Sequence, residues 1–172
     1  MIGEQDKPCI QIDNGSEADL EELLAIYNYE VEHGVATFDL KPKTLAEWKK
    51  WFDAHNVDNH PLLVARVEGK VAGYATLSSY REKEAYRSTV ELSVYVEPSH
   101  QNMGVATALM EAILDLARED ERTHTVVSVI TSGNEASTKL HEKFGFTFCG
   151  TISEVGMKFG SYRDIDNYRL GV

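Results

Sequence analysis

Gln101, Gly104 and Ala106 fall in a Q-x-x-G-x-A spacing where a β-branched segment of the 172-residue chain gives way to a helical one. Upstream, Val90, Leu92, Val94 and Val96 alternate with Thr89, Glu91, Ser93 and Tyr95, the period of a strand. Downstream, Val105, Leu109, Ala112, Ile113 and Leu116 recur at helical spacing. A strand, a proline break at Pro98 and a turn therefore lead into the start of a helix. There the first N–H groups have no acceptor inside the helix and the dipole is positive. Such a turn suits a phosphate. Gly104 and Ala106 are small enough for a pyrophosphate to approach the backbone, and Asn102, Met103, Val105 and Thr107 complete the loop and first turn. A P-loop would need Gly-Lys-Ser/Thr where the chain has Gly104-Val105-Ala106, and a dinucleotide loop would need three glycines where it has one. Packing of a strand against a helix accounts for the same small residues without a ligand.

Glu91 is the second chemical signal. A glutamate in the middle of a strand of apolar and β-branched residues is unfavourable unless it has a partner or a task. A salt bridge, an edge position or a role as proton acceptor each explain it. His141 stands among Leu140 and Phe144 on a later helical segment, where a satisfied structural histidine and a catalytic one have the same sequence pattern. Asn134 is placed to cap that helix. Tyr86 and Tyr95 fit either a core or a pocket, and a buried tyrosine wants a partner for its hydroxyl. Arg81 and Arg87 fit either a solvated loop or a bidentate grip on a carboxylate.

These residues need elements to hold them. Cys9–Ile12 reads as a short strand, Asn14-Gly15-Ser16-Glu17 as a turn, and a helix from Glu17 carries Leu20, Leu23, Leu24, Ile26 and Tyr27 and ends by Gly34. Thr44, three residues before Glu47, caps a second helix with Trp48, Trp51 and Phe52 that ends around Asn56. Leu62–Val67 and Val71–Ser78 flank a Glu-Gly-Lys turn as a hairpin. Thr125–Thr131 is a further strand, Asn134–Phe144 a short helix ended at Gly145, and Phe146–Ile152 and Tyr162–Leu170 the last strands. This order predicts a mixed α/β fold, with one mostly antiparallel sheet covered by helices.

Length points to one domain over residues 1–172, with residues 1–9 polar and loose. A net charge of −11 argues against nucleic acid and anionic membranes as partners. No apolar run approaches a bilayer span and no leader pattern follows Met1, so a cytoplasmic location is expected. Cys9 and Cys149 match no metal spacing, and no metal is expected.

The loop resembles the acetyl-CoA pyrophosphate loop of the GNAT N-acetyltransferases, written R/Q-x-x-G-x-G/A. Four further segments narrow the likeness to the phosphinothricin and methionine sulfone/sulfoximine acetyltransferases: Ile26–Asp39, Ala85–Val96, Gly133–Phe146 and Val155–Asp164. The resemblance implies a GNAT fold with a splayed central pair of strands. It implies acetyl-CoA as cosubstrate on Val94, Tyr95, Val96, the loop Gln101–Thr107, Asn134 and Ser137. Glu91 matches the general base and His141 a histidine given both catalytic and structural roles. Phe38, Arg81, Tyr86 and Arg87 lie where related enzymes shape an amino-acid site, and a homodimer is implied. Lys158-Phe159 matches as well, though a surface turn explains it equally. The implied activity is acetylation of the α-amino group of a small amino acid or analogue. Acetylation of a protein N-terminus or polyamine, and a non-catalytic acetyl-CoA sensor, are the competing readings.

Overall fold

The computed structural model describes residues 8–172, and most of the segment expected to be loose lies outside them. In chain order the elements are β1 (Ile10–Asn14), α1 (Leu20–His33), α2 (Leu45–Asp53), β2 (Leu62–Val67), β3 (Lys70–Ser79), β4 (Thr89–Val96), α3 (Val105–Glu119), β5 (Thr125–Thr131), α4 (Glu135–Lys143), β6 (Thr147–Lys158) and β7 (Ser161–Gly171). The seven strands form one sheet in the order β1-β2-β3-β4-β5-β7-β6. Neighbours are antiparallel except β4 and β5.

Helices cover both faces, which explains why β2, LLVARV, is apolar at every position but Arg66 rather than alternating. Leu62 and Val64 join Leu23, Ile26, Trp48 and Tyr74 under α1 and α2. Leu63, Ala65 and Val67 join Leu109, Met110, Ile113 and Leu114 under α3. On α3 the buried stripe runs through Val105, Leu109, Met110, Ile113, Leu114 and Ala117, whereas Leu116, which shares the helical spacing, is exposed. The stripe is two residues wide, and its centre lies between the 105-109-113 and 110-114-117 rows, turning Leu116 to solvent.

Three boundaries differ from the sequence reading. Asn14 is the last residue of β1 rather than part of a turn. The first helix begins as a short 3-10 turn at Glu17–Asp19, where the Asp19 carboxylate accepts from both the N–H and the hydroxyl of Ser16. The final hairpin is far longer than expected: β6 continues to Lys158 across two register shifts, and the turn lies at Phe159 and Gly160, both with positive φ. Lys158 is therefore a buried strand residue and not a surface one.

β4 and β5 pair only at Thr89–Thr125, Val90–Val126 and Glu91–Val127. Beyond Glu91 they part, while β4 stays paired to β3 through Val96 and β5 to β7 through Thr131. The central pair is splayed, and the wedge opens toward the N-terminus of α3.

Candidate active site

A cavity of about 690 Å³ fills this wedge. Its walls are Glu91–Val96 on one side and Ser128–Thr131 on the other. Gln101, Asn102, Gly104, Val105, Ala106 and Thr107 form its mouth, and Asn134, Ser137 and His141 line it from α4. β4 ends at Val96, and the chain reaches the helix start at Val105 through one short 3-10 turn at Pro98–His100.

The turn is built for close approach. Asn102 and Gly104 both have left-handed backbones, at φ 60° and 90°. Gly104 caps α3, and the first i+4 bond to it runs from the Ala108 N–H to its carbonyl at 3.0 Å. The N–H groups of Val105, Ala106 and Thr107 precede that bond and are the unpaired donors of the helix start. Met103 is exposed and lies outside the cavity lining. His100, which the sequence reading passed over, lines the mouth with its Nδ1 2.7 Å from the Glu97 carboxylate.

Glu91 sits at the inner end of the wedge, half-buried. Among the described residues it has no hydrogen-bond or ion-pair partner, and burial alone pushes its carboxyl above the usual range. A carboxylate in this state is a better proton acceptor than a solvated one.

His141 is arranged differently. Its Nδ1 lies 2.7 Å from the Ser137 carbonyl, which can only accept, so Nδ1 carries the proton. Its Nε2, 2.7 Å from Ser128 Oγ, then accepts from that hydroxyl. Burial holds the imidazole below its ordinary pKa. A neutral ring with both nitrogens engaged and only 4% exposed holds α4 against β5. Asn134 caps α4 by accepting from the Ser137 N–H at 3.2 Å and also borders the cavity.

Across β4 lies a second cavity of about 470 Å³. Tyr27, Trp48, Trp51, Tyr74 and Tyr95 wall it, and it shares Ser93 and Tyr95 with the wedge. Trp48 stacks on Tyr27 at 4.7 Å and on Trp51 at 4.0 Å. Trp48 Nε1 and Tyr74 Oη are buried without an acceptor. The Tyr27 hydroxyl, desolvated and bonded to Asp39, is pushed up to about 12.

The segment after α1 forms a strap over the wedge, with Ala36, Thr37 and Phe38 in its lining. Each grip on it is specific. Thr131 Oγ1 donates to the Val35 carbonyl. The Ala36 N–H donates to the Glu30 carboxylate at 2.8 Å. The Phe38 ring lies so close over Gly156 that a Cβ there would come within 2.4 Å of it. Lys158, 2% exposed, donates from Nζ to the Thr37 carbonyl at 2.8 Å and the Glu30 carbonyl at 3.4 Å. Desolvation draws its pKa down.

Phe38 thus borders the wedge. Arg81, Tyr86 and Arg87 do not line either cavity within one chain. Arg81 instead lies over the rings of Tyr80 and Tyr86, and Arg87 pairs with Glu84 on the surface.

Residues 20–146 match the family model for the acetyltransferase (GNAT) family. The chain belongs to the GNAT acetyltransferase family. It is 39% identical over 156 residues to an L-methionine sulfoximine/L-methionine sulfone acetyltransferase of Pseudomonas paraeruginosa, covering 90% of each chain. It is also 39% identical over 163 residues to the phosphinothricin N-acetyltransferase of Streptomyces coelicolor, covering 92% of this chain and 94% of the other. A solved acetyltransferase from Salmonella typhimurium with its cofactor acetyl-CoA superposes with a TM-score of 0.90 at 34% identity, over 94% of this chain and 93% of that one. The wedge of this GNAT acetyltransferase, with a left-handed glycine and free amides at its mouth, fits a ligand that is narrow along its length and anionic near one end.

Proposed function

We propose that this single-domain GNAT enzyme, spanning residues 1–172, transfers the acetyl group of acetyl-CoA to the α-amino group of a small amino acid or analogue of the sulfone, sulfoximine or phosphinic type. The observation that carries the reading is that the two cavities adjoin, sharing Ser93 and Tyr95 as walls, with Glu91 on the same strand face. One chamber suits a thioester cosubstrate, and the other a compact acceptor.

In this reading the amides of Val105, Ala106 and Thr107 hold the pyrophosphate, with Gln101 and Asn102 beside it. Gln101 offers an amide donor where an arginine would offer a charged fork. The strand edges of Val94–Val96 hold the pantetheine arm, with Asn134 and Ser137 opposite. Acetyl-CoA supplies an activated acetyl group as its thioester. Glu91 takes a proton from the α-ammonium group, directly or through one water, and so exposes the nitrogen lone pair. Unpaired amides in the wedge serve the oxyanion. His141 acts structurally through Ser128. The aromatic chamber takes the acceptor's side chain, with Asp39 in its wall, and Phe38 covers the adjoining wedge from the strap.

We also infer a homodimer. Phe148, Ile152, Val155, Met157, Phe159 and Tyr162 are all about half exposed or more on the β6-β7 hairpin, and β6 is the outermost strand. Such a patch suits a second copy of the same hairpin. Arg81 and Arg87, free of the cavities in one chain, stay candidates for the acceptor's carboxylate. No helix among the described residues is long and apolar enough to cross a membrane. We place the enzyme in the cytoplasm, where its two exposed cysteines would stay reduced.

The test is thiol release from acetyl-CoA with a panel of acceptors: methionine sulfone, methionine sulfoximine, phosphinothricin, ordinary amino acids, a polyamine and a peptide with a free N-terminus. The oxidised amino-acid analogues are expected to give the highest kcat/KM. Faster turnover of the peptide or polyamine would replace the acceptor reading, and acetyl-CoA binding without turnover of any amine would replace it with a sensor.

A further inference from the structure

We propose that His55 is a positioning residue for acetyl transfer: it holds the proton of the Ser78 hydroxyl away from Glu91, leaving that carboxylate without a donor. The inference rests on the reading of Glu91 as the base.

His55 follows α2 and is 6% exposed. Its Nδ1 lies 2.7 Å from the Trp51 carbonyl. A carbonyl only accepts, so Nδ1 carries the ring proton. Burial, with His60 nearby, disfavours the imidazolium. In the neutral ring Nε2 is a lone pair, and it lies 2.8 Å from Ser78 Oγ. The Ser78 hydroxyl must therefore donate to His55.

Ser78 stands directly opposite Glu91 in the β3–β4 ladder. Opposed residues project from the same face with Cβ atoms about 4.5–5.5 Å apart. The face is the acceptor's: Thr76, Ser78, Ser93 and Tyr95 all border the aromatic chamber. A serine hydroxyl free to turn would find a carboxylate its strongest acceptor, and that bond would favour the ionised form and weaken the base. With its proton committed to His55, Ser78 offers Glu91 only lone pairs. It is left to accept from the ammonium or from a water shared with Glu91. No proton passes through the pair; His55 stays neutral throughout.

The titratable groups that line the two cavities, besides Glu91, are Tyr27 on α1, Asp39 and Lys43 beyond the strap, Glu47 and Lys50 on α2, Tyr74 on β3, Tyr95 on β4, and His100 and His141 at the wedge. None of them hydrogen-bonds Glu91, so Ser78 is the donor whose direction matters.

The experiment is a carbon-detected NMR titration of the Glu91 carboxyl, paired with the acid limb of kcat/KM for the acceptor. His55→Phe frees the Ser78 proton, and the Glu91 pKa is expected to fall by about one unit, the size of a single hydrogen-bond effect. His55→Gln keeps an acceptor oxygen for Ser78 and should restore the wild-type value. Ser78→Ala alone should leave the Glu91 pKa in place, and adding Ser78→Ala to His55→Phe should cancel the fall. An unmoved pKa in His55→Phe overturns the proposal. So does a rise in Ser78→Ala, which would mean that Ser78 already donates to Glu91. That second arm decides the matter if His55→Phe does not fold. A carboxyl pKa that shifts while the acid limb of the rate stays put keeps the orientation of Ser78 by His55 but refutes Glu91 as the base, and with it the part of His55 in acetyl transfer.

Discussion

Replacing Lys158 with methionine separates the binding of the two substrates. Methionine keeps the length and most of the packing of a lysine that is 2% exposed, and removes only the ammonium. The Glu30 carbonyl loses one of two donors, since it also accepts from the Gly34 N–H at 2.9 Å. The Thr37 carbonyl loses its 2.8 Å partner outright. A hydrogen bond from a charged donor contributes about 1.5–3 kcal/mol. Against it stands the relief of no longer burying a cation, which reaches a similar order when ion pairing is absent. These two roughly cancel, and the part-buried Thr37 carbonyl left without its donor leaves a net loss of about 1–2 kcal/mol; at about 2–4 °C per kcal/mol for a chain of this size the melting temperature should fall by about 2–8 °C. The functional effect is sharper. Thr37 Oγ1 lies 2.9 Å from the hydroxyl of Tyr27, which walls the acceptor's chamber, and loosening two strap residues adds about 1–2 kcal/mol of ordering each time the acceptor closes the site. Since about 1.4 kcal/mol is tenfold, the acceptor KM should rise by about tenfold or more, while acetyl-CoA affinity, set at the far end by α3, should hold within about twofold. Steady-state kinetics with each substrate varied, and calorimetry with acetyl-CoA, read the two quantities. An unchanged acceptor KM alongside a lowered melting temperature would refute the strap argument and leave Lys158 as packing. Equal losses for both substrates would refute it as well.

Gly104→Val places a β-branched side chain at a φ of 90°, over the amides that would meet the pyrophosphate; a folded variant should lose acetyl-CoA affinity by about tenfold or more, and unchanged affinity by calorimetry would remove the pyrophosphate from this turn. Glu91→Gln should lower kcat by about 10²–10⁴-fold, with the deficit shrinking at high pH where the amine is neutral unaided; near-wild-type kcat at neutral pH would dismiss Glu91 as the base. The same variant should be more stable than the parent at pH 7. Burial raises the folded-state pKa of Glu91, so its ionised form opposes folding above that pKa, and the gain should vanish below the unfolded value of about 4.3; thermal unfolding across pH checks the sign. Light scattering at micromolar concentration should give a dimer, and Met157→Glu with Phe159→Asp should shift it to monomer; a monomeric parent would end the dimer proposal.

How much of this was legible beforehand depended on range. The strand-turn-helix at Glu91–Ala106 is a local pattern, read from period and composition, and the structure keeps it intact. So are the caps at Thr44 and Asn134, where the side-chain acceptor sits three residues from its donor. The strap is not local. Lys158 and Thr37 are separated by most of the chain, and only the β6–β7 hairpin brings them together; a lysine next to a turn has no sequence mark of burial. The pairing of His55 with Ser78, likewise, joins the end of one helix to a strand in the following hairpin. Leu116 shares the helical spacing yet faces solvent, because a helical stripe has a centre that the spacing of five residues does not fix. Arg81 and Arg87 are cations near a motif, yet within one chain they line neither cavity.

The parting of β4 from β5 has a mechanical consequence. The sheet carries an unpaired margin in its middle rather than only at its outer strands. Amides and carbonyls from Leu92 to Val96 and from Ser128 to Thr131 that would bond across the gap face each other over a space that widens from nothing. A full strand needs about 4.8 Å to each neighbour, so another protein's strand cannot seat where the gap narrows, and the margin escapes the self-association that open strands invite. A thin chain of alternating amides and methylenes meets no such limit. These inner amides should exchange with deuterium faster than their neighbours at Thr89–Glu91, and should slow once the gap is filled.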